Sequence, residues 1–316
     1  ALAVVVRFLN GEDNAEGEIM PVPMVEKFDS NGISKPHNRT VMIPVGETNY
    51  EIATQAFQKL LEFHDMLRAT YQDSILTVLG KDSVSVELKQ VDLRNEADTY
   101  TAVKKECSEM QQNFDMENGL LVNGIFFQMD AGNYVMLFVN QFVADEYSLV
   151  ILKEDFESAI ESLENNGVQE LVEKTASYKS FSISFNEYIN GSAFEADKKQ
   201  WELSKEKILL GKLQAVTLNS MNAKTGRINF NLSMNDTNSL LQSAGMAFNT
   251  NVSELIVVAL SKACSKLTGQ MQVAIDMLDA GRDSFVGLNL KRTVGWFVCP
   301  YPVCVEMREP LSDMII

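Results

Sequence analysis

Residues 139–148 read Val-Asn-Gln-Phe-Val-Ala-Asp-Glu-Tyr-Ser. The apolar run Tyr134–Phe138 before them predicts a buried strand, and the spacing of apolar residues from Leu149 to Leu163 after them predicts an amphipathic helix. A strand that leads through a polar turn into a helix commonly presents reactive side chains at the end of a sheet. This stretch is therefore the candidate functional site.

Length and composition indicate a globular protein built from two halves. The chain has 316 residues, of which 46% are hydrophobic and 22% are charged, so it can form a substantial core. The net charge of −16 disfavours binding to a nucleic-acid backbone. The same charge is typical of a soluble, self-repelling surface.

Cysteine and histidine usage argues against a metal site. The four cysteines lie at positions 107, 264, 299 and 304 without Cys-x-x-Cys spacing, and His37 and His64 are the two histidines. A zinc site is therefore not expected, and free thiols suit a reducing cytoplasm. No apolar run approaches the ~18 residues that span a bilayer, and residues 1–7 do not form a signal peptide. Because the chain starts without Met, we expect an excised piece of a longer cytoplasmic protein.

Apolar periodicity predicts an irregular alternation of helices and strands. The predicted helices are residues 49–71, 100–113, 148–163, 182–190, 194–207, 237–248 and 252–268. The predicted strands are residues 41–45, 75–79, 83–88, 120–128, 134–140, 215–218, 227–232, 273–278 and 296–305, with 75–79 and 83–88 as a hairpin and 273–278 buried. His64 is expected at the surface or as a cap near the end of the first helix. Without a βαβ repeat or a Gly-rich phosphate loop, the pattern indicates an α+β fold in two halves.

A polar segment separates these halves. We predict a linker or frayed end at residues 1–18, an N-terminal subdomain at 19–165, a connector at 166–180 and a C-terminal subdomain at 181–316.

Several stretches, taken together and in this order, carry a family resemblance. They are Pro21–Pro23, Leu60–Arg68, Phe114–Leu120, Asn140–Glu146, Lys174–Lys179 with Trp201, Gly281-Arg282, Arg292–Phe297 and Tyr301–Val303. They resemble motifs of the condensation superfamily of nonribosomal peptide synthetases, and are most similar to those of its epimerization domains. The match runs from about residue 19 to residue 305, and family domains continue further, so the C-terminal subdomain is expected to be truncated or replaced.

The resemblance implies a chloramphenicol-acetyltransferase-like α+β fold, in which two similar subdomains form a V with a central tunnel. It implies no directly bound cofactor, because the phosphopantetheine arm of a carrier protein brings the substrate. The implied partners are a peptidyl carrier protein, the neighbouring synthetase domains and, in some relatives, a recruited tailoring enzyme. We expect a monomeric domain that binds neither nucleic acid nor membrane.

The same resemblance indicates that the proton-transfer groups are missing. Asn140 and Gln141 lie where the family motif has two histidines, the second of which works opposite a glutamate on the α-proton of a peptidyl thioester. An amide cannot take and return a proton near neutral pH. Leu278 stands where epimerization domains carry that glutamate, and Ala280 replaces the histidine before the glycine. No catalytic residue is therefore expected at these four positions.

The structural part of the motif is retained. A buried carboxylate needs a cation, so we predict that Asp145 pairs with Arg282. Glu146 replaces the motif glycine and is expected to crowd a tight turn and to fill part of the tunnel. Gly281 and Trp296 belong to the same structural motif, Trp296 through core packing.

Three functions remain open at this point. The first is a non-catalytic condensation/epimerization-like domain with a structural, carrier-docking or recruiting role, as in the oxygenase-recruiting domain of glycopeptide assembly lines. The second is a divergent epimerization or condensation catalyst that works by positioning carrier-bound thioesters. The third is another acyltransferase of the same fold, which the missing histidine disfavours.

Overall fold

The computed structural model describes residues 13–23, 25, 38–84, 86–112, 114, 121–165, 171–212, 228–282 and 287–308. The strands are β1 (Gly17–Glu18), β2 (Asn38–Gly46), β3 (Ala69–Gln72), β4 (Ile75–Val78), β5 (Lys89–Asp92), β6 (Val122–Gln128), β7 (Asn133–Asn140), β8 (Gln272–Asp279) and β9 (Cys299–Glu306). The helices are α1 (Tyr50–Phe63), α2 (Thr99–Gln112), α3 (Glu146–Glu164), α4 (Tyr178–Ile189), α5 (Ser192–Gly211), α6 (Met234–Asn238), α7 (Gly245–Phe248) and α8 (Val252–Thr268). A π-helical segment, Ser239–Ala244, joins α6 to α7.

The chain divides into two compact units. The first contains the described residues up to Phe194 together with Ala280–Cys299, and the second contains Glu195–Asp279 and the residues from Pro300 onward. The division does not follow the sequence-based boundary at residues 166–180, because α4 packs its aromatic rings against Phe297 of the first unit.

A four-stranded sheet in the order β2-β7-β6-β5 forms the centre of the first unit. Strands β2, β7 and β6 are antiparallel, and β5 runs parallel to β6. Side chains of β7 alternate between the two faces, as the pleat of a strand requires. Val135, Leu137 and Val139 enter the main core with α1 and α3, whereas Phe138 enters a smaller core with α2.

The end of β7 leads directly into α3 and so positions the candidate site. The register places Asn38 of β2 opposite Asn140, the last residue of β7. A turn over residues 141–143 follows, and Asp145 is the N-cap of α3. The strand, turn and helix predicted for this stretch are thus present.

The predicted helix 49–71 is too long. Helix α1 ends at Phe63 and is followed by a short 3-10 turn over Asp65–Arg68 and by β3. Ala69 and Tyr71 are buried on one face of β3, in the alternating pattern of a strand. Asp73 and Ser74, with φ of 49° and 64°, form the tight turn that pairs β3 with β4. The predicted hairpin between 75–79 and 83–88 is therefore wrong.

Residues 13–18, which the sequence places in a linker or frayed end, are bound to the first unit. Strand β1 pairs with β4. Asp13 accepts hydrogen bonds from Ser177 N, Ser177 Oγ and Ser180 Oγ at 2.8, 2.7 and 2.6 Å, all at the start of α4. A carboxylate at a helix N-terminus is stabilised by the helix dipole.

In the second unit, α8 packs on the two-stranded sheet β8–β9. The bounds of α8 match the prediction because both ends carry local signals. Asn251 and Glu254 form a capping box, and Gly269 ends the helix with a φ of 75°.

Two strand predictions fare less well here, and a third cannot be compared with the structure. Residues 228–232 are exposed and form no strand within the described part of the chain, although their apolar residues alternate. The predicted strand 215–218 lies outside the described residues. Strand β8 is present, but Val273 is its one buried residue, because a two-stranded sheet offers little cover.

Candidate functional site

Asn140 is a structural residue in the turn that follows β7. It is buried, and its Oδ1 accepts a hydrogen bond from Phe142 N at 3.0 Å while its Nδ2 donates to Asn38 Oδ1 at 3.1 Å. Its backbone N–H donates to Leu121 O at 2.8 Å, and its carbonyl accepts from Val143 N at 3.0 Å. Both halves of the side-chain amide are therefore engaged in holding the turn. Gln141 lies half-buried in the same turn.

Asp145 is the centre of a buried hydrogen-bond network. Arg282 Nη1 donates to Asp145 Oδ2 at 2.7 Å, and Nη2 donates to Oδ1 at 2.8 Å. Ser148 N donates to Oδ1 at 2.8 Å as the N-cap contact of α3. Phe297 N donates to Oδ2 at 3.2 Å. The structure thus brings the two predicted members, Asp145 and Arg282, together with groups that the sequence did not indicate.

Ser148 links this carboxylate to the segment around Gly295. Its hydroxyl lies 2.8 Å from Asp145 Oδ1 and 3.0 Å from Gly295 O, and it donates to one of them. It accepts from Gly295 N at 3.1 Å and from Arg282 Nη2 at 2.9 Å. Asp145 N also donates to Gly295 O at 3.1 Å. A serine three residues after an N-cap aspartate was the available sequence signal. Gly295 lies in the motif stretch Arg292–Phe297, but nothing in that stretch indicated its contact with Ser148.

The Arg282 guanidinium lies over two aromatic rings. Its Cζ lies 4.4 Å from the ring centroid of Phe297 and 4.8 Å from that of Tyr147. A planar cation over ring faces is attracted by their quadrupoles, and the rings exclude water from the ion pair. The pair is consequently both charge-matched and shielded.

The protonation of Asp145 follows from these contacts. Burial alone would raise the pKa of the Asp145 carboxyl, but the hydrogen bonds and charge of Arg282, together with the donors of Ser148, hold the pKa below its ordinary value. Asp145 is therefore a carboxylate at neutral pH and serves as a fixed anion, not as a proton carrier.

Two glycines allow the chain to approach this network. Gly281 has a φ of +66°, and a Cβ there would lie 2.1 Å from Phe297 O. A Cβ on Gly295 would lie 2.2 Å from Cδ2 of Tyr178. The Tyr178 hydroxyl in turn donates to Trp296 O at 2.8 Å, and burial raises the pKa of this phenol. Close packing here therefore requires glycine at both positions.

Residues 296–298 bind across this network and are not part of a strand. The predicted strand 296–305 begins at Cys299, because Phe297 N donates to Asp145 and Trp296 O accepts from Tyr178. Trp296 is 8% exposed, and its ring centroid lies 5.9 Å from that of Phe142. The core packing expected for Trp296 is what the structure shows.

Glu146 does not crowd a tight turn. It is the first residue of α3, its side chain is 66% exposed, and it forms an ion pair with Arg39 of β2. The positive-φ residues of the described chain do not include it. The backbone at this position therefore accepts any L-residue, and the predicted steric conflict is absent.

The other two positions at which no catalytic residue is expected, 278 and 280, are exposed. Leu278, near the end of β8, is 70% exposed, and Ala280 is exposed at the start of the segment that carries Arg282. Ala280 O accepts from Arg282 Nη1 at 3.3 Å. Neither side chain can move a proton.

His64 belongs to a second buried network, contrary to the expectation of a surface or capping residue. Its Nε2 lies 2.9 Å from Asp155 Oδ2, at the distance of an ion pair but without hydrogen-bond alignment. Arg292 Nη2 donates to Asp155 Oδ1 at 2.5 Å, and Nη1 donates to Glu154 Oε2 at 2.8 Å. Burial would lower the pKa of Arg292, but these carboxylates raise it. No local sequence pattern indicates contacts between residues so far apart.

The described residues contain no group of three or more His, Cys, Asp or Glu side chains that could hold a metal ion. Among the helices of this part of the chain, none is alone both long and apolar enough to cross a bilayer. Met234–Ala247 and Val252–Thr268 reach that length and composition only as a pair, with a bend of 98° between them.

Comparison with known proteins shows which family this chain belongs to. The condensation domain family matches residues 25–315. Surfactin synthase subunit 1 of Bacillus subtilis (strain 168) is 27% identical over 305 residues, which are 93% of this chain and 8% of that protein. The chain therefore spans less than a tenth of that relative's length.

Solved structures share the fold. The epimerization domain from the third module of tyrocidine synthetase B superposes with a TM-score of 0.82 at 26% identity, over 95% of this chain and 71% of that one. The X-domain from teicoplanin biosynthesis superposes with a TM-score of 0.70 at 15% identity, over 94% and 68% of the two chains.

Fold and site together define an α+β domain of the chloramphenicol-acetyltransferase-like fold, with a buried aspartate–arginine pair at the start of α3. The chain belongs to the condensation domain family and is a condensation/epimerization-like domain of the nonribosomal peptide synthetase type. The fold and the family predicted from the motifs are thus confirmed.

Proposed function

We propose that this chain is a non-catalytic condensation/epimerization-like domain of a nonribosomal peptide synthetase. The observation that carries the proposal is the pair of amides at positions 140 and 141, where the family motif has histidines. Asn140 uses both polar atoms of its side chain to hold the turn. Gln141 has no accessible pKa, so neither residue can act as a general base.

The Asp145 carboxylate and the Tyr178 phenol do not supply a replacement base. Asp145 is held as an anion by Arg282 and is enclosed by the protein, with 0% of its side chain exposed. Tyr178 is buried, and its pKa lies well above the ordinary value. A catalytic base needs both a pKa near the working pH and access to the substrate, and these groups have neither.

The retained network supports a structural role. The Asp145–Arg282 pair, Ser148 and Gly295 hold the start of α3 to the segment that carries Trp296 and Phe297. We infer that the domain keeps the family fold as a spacer, a docking surface for a carrier protein or a platform for a recruited tailoring enzyme. A carrier would bring its phosphopantetheine arm, the neighbouring synthetase domains would be covalent partners, and the location would be cytoplasmic.

The experiment that tests the proposal follows α-proton exchange. A carrier protein loaded with an aminoacyl or peptidyl phosphopantetheine thioester is incubated with the chain in D₂O, and deuterium at the α-carbon is measured by mass spectrometry. The epimerization domain of the third tyrocidine synthetase B module serves as the positive control. We expect exchange at the rate found without added protein.

The competing function is a divergent catalyst that works by positioning, and the intact Asp145–Arg282 scaffold is the observation in its favour. Exchange well above the no-protein rate that is lost in Gln141→Ala would establish this alternative and overturn the proposal.

A further inference from the structure

Among the described strands, β8 and β9 pair only with each other, although a long segment separates them in the chain. Strand β8 ends at Asp279 and β9 begins at Cys299. The segment between them, residues 280–298, belongs to the first unit and places Leu290 and Val294 in its main core. A two-stranded sheet is marginally stable by itself, and closing a flexible connection has an entropic cost that grows with its length. The pairing of β8 with β9 therefore depends on how the two ends of this segment are held.

The two ends of the segment contact each other. Gly281 follows the end of β8, and Phe297 precedes the start of β9. A Cβ on Gly281 would lie 2.1 Å from Phe297 O, so the two backbones are in direct contact. The guanidinium Cζ of Arg282 lies 4.4 Å from the centroid of the Phe297 ring. The chain therefore enters and leaves this segment at neighbouring positions in the first unit.

One oxygen atom of Asp145 holds both ends in place. Asp145 Oδ2 accepts hydrogen bonds from Arg282 Nη1 at 2.7 Å and from Phe297 N at 3.2 Å. The carboxylate is 0% exposed and the arginine side chain is 7% exposed, so water cannot readily replace these contacts. The end near β9 has further support from Ser148, which accepts from Gly295 N at 3.1 Å. At the end near β8, Arg282 provides the contact with Asp145.

We propose that the Asp145–Arg282 pair is a clamp that closes the connection between β8 and β9. The clamp holds the ends of the segment together in the folded first unit, so the two strands pair without the entropic cost of closing a long flexible loop. The inference rests on the structural role proposed for this pair and extends that role to a sheet of the second unit. It does not depend on the absence of catalysis, which the α-proton exchange assay tests separately.

Amide hydrogen exchange of the intact chain, followed by mass spectrometry of peptides from β8 and β9, tests the clamp. Arg282→Gln removes the charged contact and should speed exchange in both strands at least about tenfold in native buffer. Phe127→Leu is the matched control, because Phe127 is buried in the smaller core with α2 and has no part in the clamp. This variant should change exchange in β8 and β9 less than about twofold.

Exchange in β7 reports the stability of the first unit in each variant. If Arg282→Gln speeds exchange in β7 but affects β8 and β9 no more than Phe127→Leu does, the pair stabilises the first unit and is not a clamp. That result would overturn the inference and leave the proposed structural role of the pair intact.

A change of loop length tests the entropic mechanism directly. A Gly/Ser insert as long as the segment is placed between Arg282 and Gly287, in the wild type and in Arg282→Gln. Doubling the length of a flexible loop makes its closure about threefold less favourable. The insert should therefore speed exchange in β8 and β9 about threefold in Arg282→Gln, and less than about 1.5-fold in the wild type, where the clamp closes the loop. An equal effect in the two chains, or no effect in Arg282→Gln, would rule out the clamp.

Discussion

Arg282 and Asp145, 137 positions apart in the chain, form a two-pronged ion pair in which each guanidinium Nη atom donates to a different carboxylate oxygen, at 2.7 and 2.8 Å. The pair ties the start of α3 to the segment that follows β8. Because it is buried, its two charges depend on each other for solvation. It is the contact on which the proposed structural role depends.

Asp145→Asn should destabilise the protein by about 3–5 kcal/mol, because Arg282 would be left as an uncompensated buried charge. Asparagine can still cap the helix, so the change isolates the ion pair. Urea denaturation followed by circular dichroism measures the free energy of unfolding. The matched control is Glu146→Gln, which removes the exposed partner of Arg39 and should cost no more than about 1 kcal/mol. Equal stability of wild type and Asp145→Asn would refute the anchor role.

The same pair predicts a pH dependence. The pKa of Asp145 is lowered in the folded state, so its contribution to stability is complete above the ordinary aspartate value of about 3.9 and is lost as the pH falls through the folded pKa. The stability difference between wild type and Asp145→Asn should therefore shrink between pH 7 and pH 3. Urea titrations at intervals across this range measure it. A difference that stays constant or grows toward low pH is incompatible with a carboxylate held by Arg282.

Gly281→Ala should destabilise the protein by about 3 kcal/mol or more, since the new Cβ would overlap Phe297 O in addition to straining a left-handed backbone. Gly269→Ala is the matched control: its φ is +75°, but no atom lies within 4 Å of the added Cβ. That variant should lose only about 1 kcal/mol of backbone strain. Thermal or chemical denaturation separates the two, and equal losses would show that the close approach to Phe297 does not matter.

Histidine substitutions at positions 140 and 141 should have different effects. Asn140→His removes the acceptor of Phe142 N and the donor to Asn38 in a buried turn, and should cost about 1–3 kcal/mol. Gln141→His, at a half-buried position, should cost less than about 1 kcal/mol. Comparison of unfolding free energies tests this, and an Asn140→His variant as stable as wild type would show that the amide is not structural.

Local signals in the sequence predicted much of the fold. The bounds of α8 follow from its capping box and its terminal glycine, and the strand–turn–helix around Asp145 follows from periodicity. The capping residues and the apolar spacing lie within a few residues of the elements that they define. The prediction of a helix up to residue 71 was wrong at its end, because Ala69–Gln72 form a strand. Their burial alternates from one residue to the next, and the helical spacing of the preceding apolar residues concealed this change.

Contacts between distant residues could not be predicted in the same way. The proposal that Asp145 pairs with Arg282 came from the family resemblance and the cost of a lone buried charge. The contacts of Ser148 with Gly295 and of His64 with Asp155 carry no local pattern, because they arise only once the elements pack. Gly295 lies in one of the motif stretches, but the motif does not explain why a glycine is needed there. The structure does, because a Cβ at this position would overlap the ring of Tyr178.

The most direct test of the central claim is the rate of α-proton exchange in a carrier-bound aminoacyl thioester in D₂O. General acid–base groups accelerate such a transfer by roughly 10²–10⁴-fold, so their absence is easily measured. If this domain is non-catalytic, the rate with the wild-type chain equals the rate without protein, and Gln141→Ala leaves it unchanged. A rate about a hundredfold above that background, abolished by Gln141→Ala in a folded protein, would contradict the account.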